Sequence, residues 1–211
     1  MRSKDLDQII RKVPVTYYQK GVKSNFLQKI WHGIKISYFK KIIQDISFSK
    51  CLDIGCASGY MLNEISNQYP NISFYGIDPY NQAIKYGQKT YPHIKFTMSL
   101  AEKLPFKDNF FDLILCYETI EHVKDAQKAL QEIKRVLDKK GLAVITMDSG
   151  NWLFRIVWFI WEKTSGKVWQ GAHLHPFHHR ELGNLIKKTG FRIIQKNFTH
   201  LGMEVVFIVS K

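Results

Sequence analysis

The sequence predicts an α/β protein with a doubly wound, mostly parallel sheet of seven strands that ends in an antiparallel hairpin. Five apolar runs alternate with segments of helical periodicity, which is typical of parallel strands covered by helices. The last two predicted strands, residues 191–196 and 203–209, are too close together for a helical crossover, so they pair antiparallel. A turn bearing Gly55 and Gly59 joins the end of the first strand to the start of a helix.

The predicted elements follow in order along the chain. Strands are expected at residues 51–54, 72–78, 94–98, 111–116 and 142–147, and helices at residues 24–46, 60–67, 81–89, 126–137 and 180–188. Residues 1–23 are polar and basic and are expected to form an irregular arm. The first helix has Ser24 or Asn25 as its N-cap. Its apolar residues recur at three- and four-residue steps and predict an amphipathic helix: Phe26, Leu27, Ile30, Ile34, Tyr38, Ile42 and Ile46.

Length and composition are those of one domain with a full core. The chain has 211 residues, of which 45% are hydrophobic, so disorder is not expected. We divide it into an N-terminal arm and lid helix (1–46) and a ligand-binding domain (47–211) with a cap insertion (151–178). The three cysteines form no CxxC pair and the N-terminus has no apolar signal sequence, which suits a cytoplasmic protein.

The net charge of +13 is concentrated in the two flanks of the chain. Residues 1–50 carry 11 Lys and Arg against 3 Asp and Glu, residues 51–150 carry 11 against 12, and residues 151–211 carry 9 against 3. Basic flanks suit an anionic substrate, a membrane surface or nucleic acid, and they equally suit solvated surface lysines. Charge alone does not choose among these partners.

The turn at residues 55–59 predicts a site for a nucleotide-like ligand. Glycines let a ligand approach the backbone closely, and the start of the next helix offers free amides. Asp53 lies at the carboxyl end of the first strand, where ligands bind in open α/β sheets. Asp78 follows 25 residues later at the end of the second strand, where a carboxylate can accept both hydroxyls of a ribose. Both acids also fit a simpler role as helix caps.

The segment from Leu52 to Gly59 resembles the cofactor loop of class I S-adenosylmethionine-dependent methyltransferases, with Ala57 in the place of the middle glycine. Residues 101–106, 111–114, 118–123 and 129–141 are similar, in the same order, to later motifs of that class. Within the class, the chain resembles the broad group related to ubiquinone and menaquinone methyltransferases, from about Tyr17 to the C-terminus. The resemblance implies a Rossmann-like methyltransferase fold, S-adenosylmethionine as cofactor and S-adenosylhomocysteine as product.

The resemblance also implies which residues bind the cofactor: Asp53, Gly55, Cys56, Ala57, Gly59, Asp78, Pro79, Ala101, Glu102, Tyr117 and Glu118. Cys56 is expected to act as a small packing residue with a useful backbone amide rather than as a nucleophile. Leu100 is a departure, because the family often has an acid there. Glu102 also fits a solvated side chain, and Glu118 fits either the methyl-donor cleft or a direct cofactor contact.

His122 is the candidate catalytic base. Methyl transfer is an in-line displacement at a sulfonium carbon, so the protein mainly aligns the nucleophile and excludes water. A carbon nucleophile, or an oxygen nucleophile that does not arrive ionised, needs a base. His122 follows the carboxyl end of the fourth predicted strand. A structural histidine bonded to the local backbone is the alternative.

Two segments are expected to form the acceptor side. Tyr17 and Tyr18 precede the lid helix, and Trp152 begins a run to Trp161 that is apolar nearly all round. A run of this length cannot span a bilayer, which needs about 20 residues. It therefore has four interpretations: burial on the sheet, a cap over a pocket for an apolar substrate, a dimer contact, or contact with an anionic membrane interface, where Trp, Lys and Arg are favoured.

The histidines after this run are the last candidates. His173 and His175 are candidate substrate-pocket residues. With His178 and His179 they suggest a metal site, but Glu181 is the only nearby acid or cysteine that could complete a ligand set, so no metal is expected.

The expected function is methyl transfer from S-adenosylmethionine to an oxygen or carbon of a small or lipid-like acceptor. Nucleic-acid methylation, of RNA in particular, is the alternative enzyme function. Against it, residues 116–119 lack the Asn- or Asp-Pro-Pro-aromatic turn of many base N-methylating enzymes, and no separate RNA-binding module is visible. A cofactor-binding module without catalysis is the third alternative. The sequence leaves the oligomeric state open.

Overall fold

A seven-stranded sheet forms the centre of the molecule. The computed structural model describes residues 12–164, 166–169 and 178–211. The strand order is β3-β2-β1-β4-β5-β7-β6. Strands β1 to β5 pair in parallel, and β7 lies antiparallel between β5 and β6. The strand bounds are Lys50–Ile54 (β1), Ser73–Asp78 (β2), Lys95–Met98 (β3), Phe111–Tyr117 (β4), Leu137–Asp148 (β5), Arg192–Thr199 (β6) and Glu204–Ser210 (β7). This topology confirms the predicted fold class and the antiparallel end of the sheet.

Helices cover both faces of the sheet. Their bounds are Tyr17–Ser24 (α1), Phe26–Ile43 (α2), Tyr60–Ser66 (α3), Asn81–Thr90 (α4), Ala126–Val136 (α5), Trp152–Lys163 (α6) and His179–Lys188 (α7). Neighbouring residues of β4 belong to two different apolar clusters, because side chains alternate across a strand. Leu113 and Leu115 pack with residues of α2, α3 and α4, whereas Ile114 and Cys116 pack with α5 and α7.

Residues 17–24 are helical, which corrects the prediction of an irregular arm. The contacts that hold α1 are tertiary. Gln28 Nε2 donates to the Tyr17 hydroxyl at 2.9 Å, and Gln19 Nε2 donates to Ser58 Oγ at 3.0 Å. Since both bonds join α1 to residues elsewhere in the fold, the local sequence of this polar segment carried no signal for them.

The buried side of α2 is also different from the predicted one. Asn25 is the N-cap, and its side chain accepts from Gln28 N. Phe39 and Ile43 enter the core, with Tyr38, Ile42 and Ile46 partly buried beside them. In the first half of the helix the predicted apolar face is exposed, Phe26 by 74%, while Gln28, His32 and Lys35 point inward. Two of these polar side chains have partners inside: Gln28 donates to the Tyr17 hydroxyl, and Lys35 pairs with Glu118, as the next section describes.

The cap insertion contains α6 and a short 3-10 helix, Lys167–Trp169. None of the twelve residues of α6 is buried, so this helix is not part of the core. Residues 170–177 lie outside the described part of the chain. Among the helices that the structure describes, none is long and apolar enough to cross a membrane.

Candidate functional site

A cavity of about 460 Å³ lies at the carboxyl ends of the strands. It sits where β1 has β2 on one side and β4 on the other, which is the position where open α/β sheets bind ligands. The glycine turn and the ends of β2 and β4 form one side of it, and α1, α2 and α6 form the other. The predicted site residues that line it are Tyr17, Tyr18, Gly55, Ala57, Asp78, Pro79, Ala101, Glu102, Glu118 and His122.

The glycine turn is a tight backbone loop. The amides of Gly55 and Cys56 both donate to Ile77 O, at 2.8 and 3.0 Å, so the turn is tied to β2. Gly55, Ala57 and Gly59 all have positive φ, of 75°, 48° and 81°. A left-handed conformation is costly for an alanine, so Ala57 stores local strain beside the cavity.

Gly55→Ala is expected to destabilise the protein by about 2–3 kcal/mol, because it adds backbone strain and a steric clash. An ideal Cβ at this position would lie 2.2 Å from Thr119 Oγ1. Gly33→Ala is the matched control, since Gly33 is in α2 with nothing within 4 Å of its ideal Cβ. The control is expected to be stabilising by roughly 0.5–1 kcal/mol. Urea unfolding measures both; equal effects would contradict the packing of this turn.

Asp78 is the polar side chain best placed to bind a ligand beside the glycine turn. Its Oδ2 accepts from Ala57 N at 2.9 Å and its Oδ1 accepts from Tyr80 N at 2.8 Å. Burial raises the pKa of Asp78 to about 6, although the two amides act to lower it. Each carboxylate oxygen keeps a second lone pair. Asp78 is therefore fixed in place, charged at neutral pH, and able to accept further hydrogen bonds in the cavity.

Four predicted cofactor residues do not line the cavity. Asp53 is buried behind the turn, where burial and then the charge of Asp78 raise its pKa to about 8. Cys56 is buried with its Sγ beside Gly76, and Gly59 has the ring of Phe96 against it. Tyr117 packs edge-on against Phe39, a core residue. These four residues shape the turn and strand ends from behind rather than face the cavity.

Glu102 has a structural task. Its Oε1 accepts from the backbone amides of Lys124 and Asp125, at 2.8 and 3.3 Å, so it ties the loop after β3 to the loop before α5. The same residue lines the cavity together with Ala101. The interpretation of Glu102 as a merely solvated side chain is therefore wrong.

Glu118 and Lys35 form an ion pair at the cavity. Burial by itself would raise the pKa of Glu118, but Lys35 lowers it to about 2. Burial opposes the charge of Lys35 in turn, while Glu118 and Glu204 raise its pKa. This pair explains why α2 turns Lys35 inward: the lysine reaches a carboxylate at the end of β4.

His32 of α2 and Tyr18 of α1 lie next to each other on the cavity side of the two helices. Burial, and then the charge of Lys35, lower the pKa of His32 to about 4, so the imidazole is neutral at pH 7. The His32 ring lies edge-on to Tyr18, with centroids 5.3 Å apart. Burial raises the pKa of the Tyr18 phenol. The lid helices thus present the neutral rings of Tyr18 and His32 to the cavity, whereas Lys35 does not line it and is buried beside Glu118.

Glu121 is a cavity residue that the sequence analysis did not single out. Its side chain is almost fully buried and lines the cavity, and its Oε2 has no hydrogen-bond partner in the described part of the chain. Burial raises the pKa of this carboxyl well above its ordinary value, which favours the protonated form. No signal in the sequence alone singles out this acid, because its burial depends on the elements packed around it. His122 also lines the cavity, and its backbone amide donates to Thr119 O at 2.9 Å.

Aromatic side chains from α2 and α6 form the wall opposite the glycine turn. From α6 they are Phe154, Trp158 and Trp161, and from α2 it is Trp31. His200 packs against Trp31 with ring centroids 4.0 Å apart, and its Nε2 lies 3.0 Å from Trp31 O. The predicted substrate residue Trp152 does not line this wall; it is 73% exposed on the other side of α6. Helical geometry separates it from Trp158, because residues six apart lie about 120° apart around a helix.

The last predicted site residues belong to the histidine-rich segment after α6. His173 and His175 lie outside the described residues. His178 is the N-cap of α7, in a capping box with Glu181. Within the described ranges, no three His, Cys, Asp or Glu side chains are grouped so that they could hold a metal ion.

Comparison with known proteins finds a family model and curated relatives that match this chain. The family model described as "Methyltransferase domain" matches residues 52–145. The chain is 28% identical over 143 residues to the ubiquinone biosynthesis O-methyltransferase of Rickettsia typhi, covering 64% of this chain and 56% of that protein. It is 27% identical over 150 residues to the human mitochondrial arginine-hydroxylase NDUFAF5, covering 70% of this chain and 43% of that protein. The match thus spans about half the length of these curated relatives.

These matches support a class I S-adenosylmethionine-dependent methyltransferase. The fold agrees with this assignment. A solved structure from Thermotoga maritima, described as an S-adenosylmethionine-dependent methyltransferase and possible histamine N-methyltransferase, superposes with a TM-score of 0.65. Its sequence identity is 23%, and the match covers 92% of this chain and 99% of that one.

The residues at the cavity fit the cofactor that the family implies. A nucleoside needs an acceptor for its ribose hydroxyls, and the Asp78 carboxylate lies in the cavity with free lone pairs. It also needs close access to the backbone, and Gly55 and Ala57 of the turn line the cavity. Asp78 and the turn residues at the cavity therefore fit the nucleoside part of S-adenosylmethionine.

Proposed function

We propose that the protein transfers the methyl group of S-adenosylmethionine to an oxygen or carbon atom of a small, apolar or lipid-like acceptor. The observation that carries this proposal is the continuity of the cavity. The same space is lined by Asp78 and the glycine turn on one side and by Trp31, Trp158 and Trp161 on the other. A polar nucleoside and an apolar acceptor would thus meet within one enclosure.

On the side of the cavity that would hold the methyl donor, the chain binds and orients the cofactor. S-adenosylmethionine supplies an electrophilic methyl group on a sulfonium centre. Asp78 accepts hydrogen bonds from the ribose, and the turn at residues 55–59 admits the cofactor close to the backbone. The Glu118 carboxylate stays ionised beside Lys35, so it adds a negative charge near a cationic cofactor without needing a proton change.

On the acceptor side, the aromatic wall binds an apolar body and excludes water. Because burial favours the protonated form of the Glu121 carboxyl, this group is suited to donate a hydrogen bond to an acceptor oxygen. His122 lines the same cavity and is the group that we assign to proton removal where the acceptor hydroxyl or carbon is not already ionised.

Methyl transfer from tritiated S-adenosylmethionine to a panel of acceptors tests the proposal. The panel contains an alkyl-substituted catechol, an arginine-containing peptide and a transcribed RNA. Label is expected in the catechol, and Trp158→Ala is expected to lower kcat/KM at least about tenfold without changing cofactor affinity. Trp152→Ala is the matched control, because Trp152 lies on the same helix outside the cavity.

Other outcomes assign the cavity differently. Label in the RNA alone would favour the nucleic-acid alternative. One relative is named as an arginine hydroxylase, so cofactor binding is measured separately by calorimetry. Binding without label in any acceptor would support the cofactor-binding module without catalysis, and no cofactor binding would overturn the proposal as a whole.

A further inference from the structure

Helix α6 has two apolar sides. Phe154, Val157, Trp158 and Trp161 recur at three- and four-residue steps and line the cavity. The opposite side carries Trp152, Ile156, Phe159 and Ile160, which are all exposed. A helix that covers a pocket and faces water needs only the first of these sides to be apolar. The exposed apolar residues on the outer side of α6 therefore indicate a binding partner on that side.

Cations accompany this outer side. Arg155 and Lys163 are both exposed, and Lys163 Nζ lies 3.9 Å from the centroid of the Phe159 ring. Glu162 is the single acid of α6. Over residues 151–211 as a whole, 9 Lys and Arg stand against 3 Asp and Glu. Exposed Trp and aliphatic side chains mixed with Lys and Arg form the combination that lies in the interface of an anionic bilayer.

The mouth of the cavity continues the apolar character of this side. The residues that both line the cavity and are exposed are Pro14, Leu27, Ile30, Pro79, Leu100, Lys124 and Val157. All but one of these are apolar. Leu27 and Ile30 come from α2, and Val157 comes from α6, so the rim joins the two lid helices. A rim of this kind admits an apolar ligand from a lipid phase more readily than from water.

We propose that the outer side of α6 docks the protein on an anionic lipid surface, with the helix lying in the interface and the apolar cavity rim facing the lipid. The helix has twelve residues, too few to span a bilayer but enough to lie in its plane. Docking needs neither the cofactor nor turnover, so it can be tested separately from the proposed methyl transfer. If both hold, the acceptor reaches the cavity from the lipid.

Vesicle flotation of the full chain tests this docking. The probes are phosphatidylcholine vesicles with and without phosphatidylglycerol, at low and high salt. Binding is expected only with phosphatidylglycerol, and it is expected to weaken at high salt. Phe159→Glu combined with Ile160→Glu is expected to lower binding by at least about tenfold, and Lys163→Glu by about fivefold or more.

A matched control separates this helix from general surface hydrophobicity. Ile194 on β6 is 49% exposed, against 51% for Ile156, and Ile194→Glu is expected to leave binding unchanged. Circular dichroism verifies the folding of each variant. Failure of the parent to float with any vesicle, or equal loss from the Ile194 variant, would overturn the proposal. A dimer in sedimentation that the α6 variants dissociate, without vesicle binding, would assign this side to a second copy instead.

Discussion

Replacing Asp78 with alanine is expected to lower the affinity for S-adenosylmethionine by about 100-fold or more. Hydrogen bonds to a charged group contribute about 1.5–3 kcal/mol each, and two ribose hydroxyls would lose their acceptor. The backbone amides of Ala57 and Tyr80 lose the same carboxylate, so the turn itself loosens. Isothermal titration calorimetry measures the loss. Asp45→Ala, at an exposed position at the end of the lid helix, is expected to bind as the parent does.

The pH dependence of binding provides a second readout for the same residue. Burial raises the pKa of Asp78 to about 6. A cationic ligand favours the ionised carboxylate, so the affinity of the parent is expected to rise with pH through about 6 and to fall by up to about tenfold per pH unit below it. Asp78→Asn, which cannot ionise, is expected to lack this step. Unchanged binding by Asp78→Ala, or an identical pH profile in Asp78→Asn, would remove Asp78 from the cofactor site.

Replacing Glu118 with glutamine is expected to destabilise the protein by about 2–3 kcal/mol, because it leaves the Lys35 ammonium buried without its partner charge. The Lys35 side chain is 2% exposed. The estimate lies below the usual cost of breaking a buried pair, since the Glu118 side chain keeps 35% of its surface exposed. Guanidinium unfolding measures the change. The double variant Lys35→Met with Glu118→Gln is expected to recover most of the loss, because it removes the stranded charge.

The pKa shifts give the sign of this pair's pH dependence. Lys35 holds the pKa of Glu118 at about 2, below its ordinary value of 4.5. A depressed carboxyl pKa contributes stability that is complete above the unfolded value and disappears as the pH falls through the folded one. The difference in stability between parent and Glu118→Gln is therefore expected to shrink from about pH 4.5 to about pH 2. An undiminished difference across this range, or no recovery in the double variant, would show that the two side chains do not act as a pair.

The sheet could be predicted from the sequence because its signals are local. Each strand of the parallel part is an apolar run bounded by turn residues, and the short connection before β7 excludes a helical crossover. The cofactor side of the cavity could be predicted for a related reason. Gly55 and Asp78 lie at strand ends, and parallel pairing brings these ends to one edge of the sheet. Asp53 and Cys56 sit in the same short segment, yet their side chains turn behind the loop, which depends on strand register rather than on sequence spacing.

The acceptor side could not be predicted in the same way. The apolar spacing of α2 indicated a buried face, but periodicity does not tell which neighbour covers it. Here the Lys35 side chain pairs with Glu118, and the Gln28 side chain donates to the Tyr17 hydroxyl. The apolar residues of the first half of the helix are exposed instead. The buried carboxyl of Glu121 was missed for a similar reason. A lone acid in a loop looks solvated until the elements around it are placed.

The sequence by itself determined the sheet, the glycine turn and the Asp78 carboxylate, and with them the cofactor to be expected. These features depend on residues that are close in the chain or on strand ends that pairing must align. Only the tertiary structure decided which side of α2 and of α6 faces the cavity. A helix exposes several faces at once, and the free energy of burying one of them depends on partners far away in sequence: a carboxylate for Lys35, and the apolar residues of the cavity for Trp158 and Trp161.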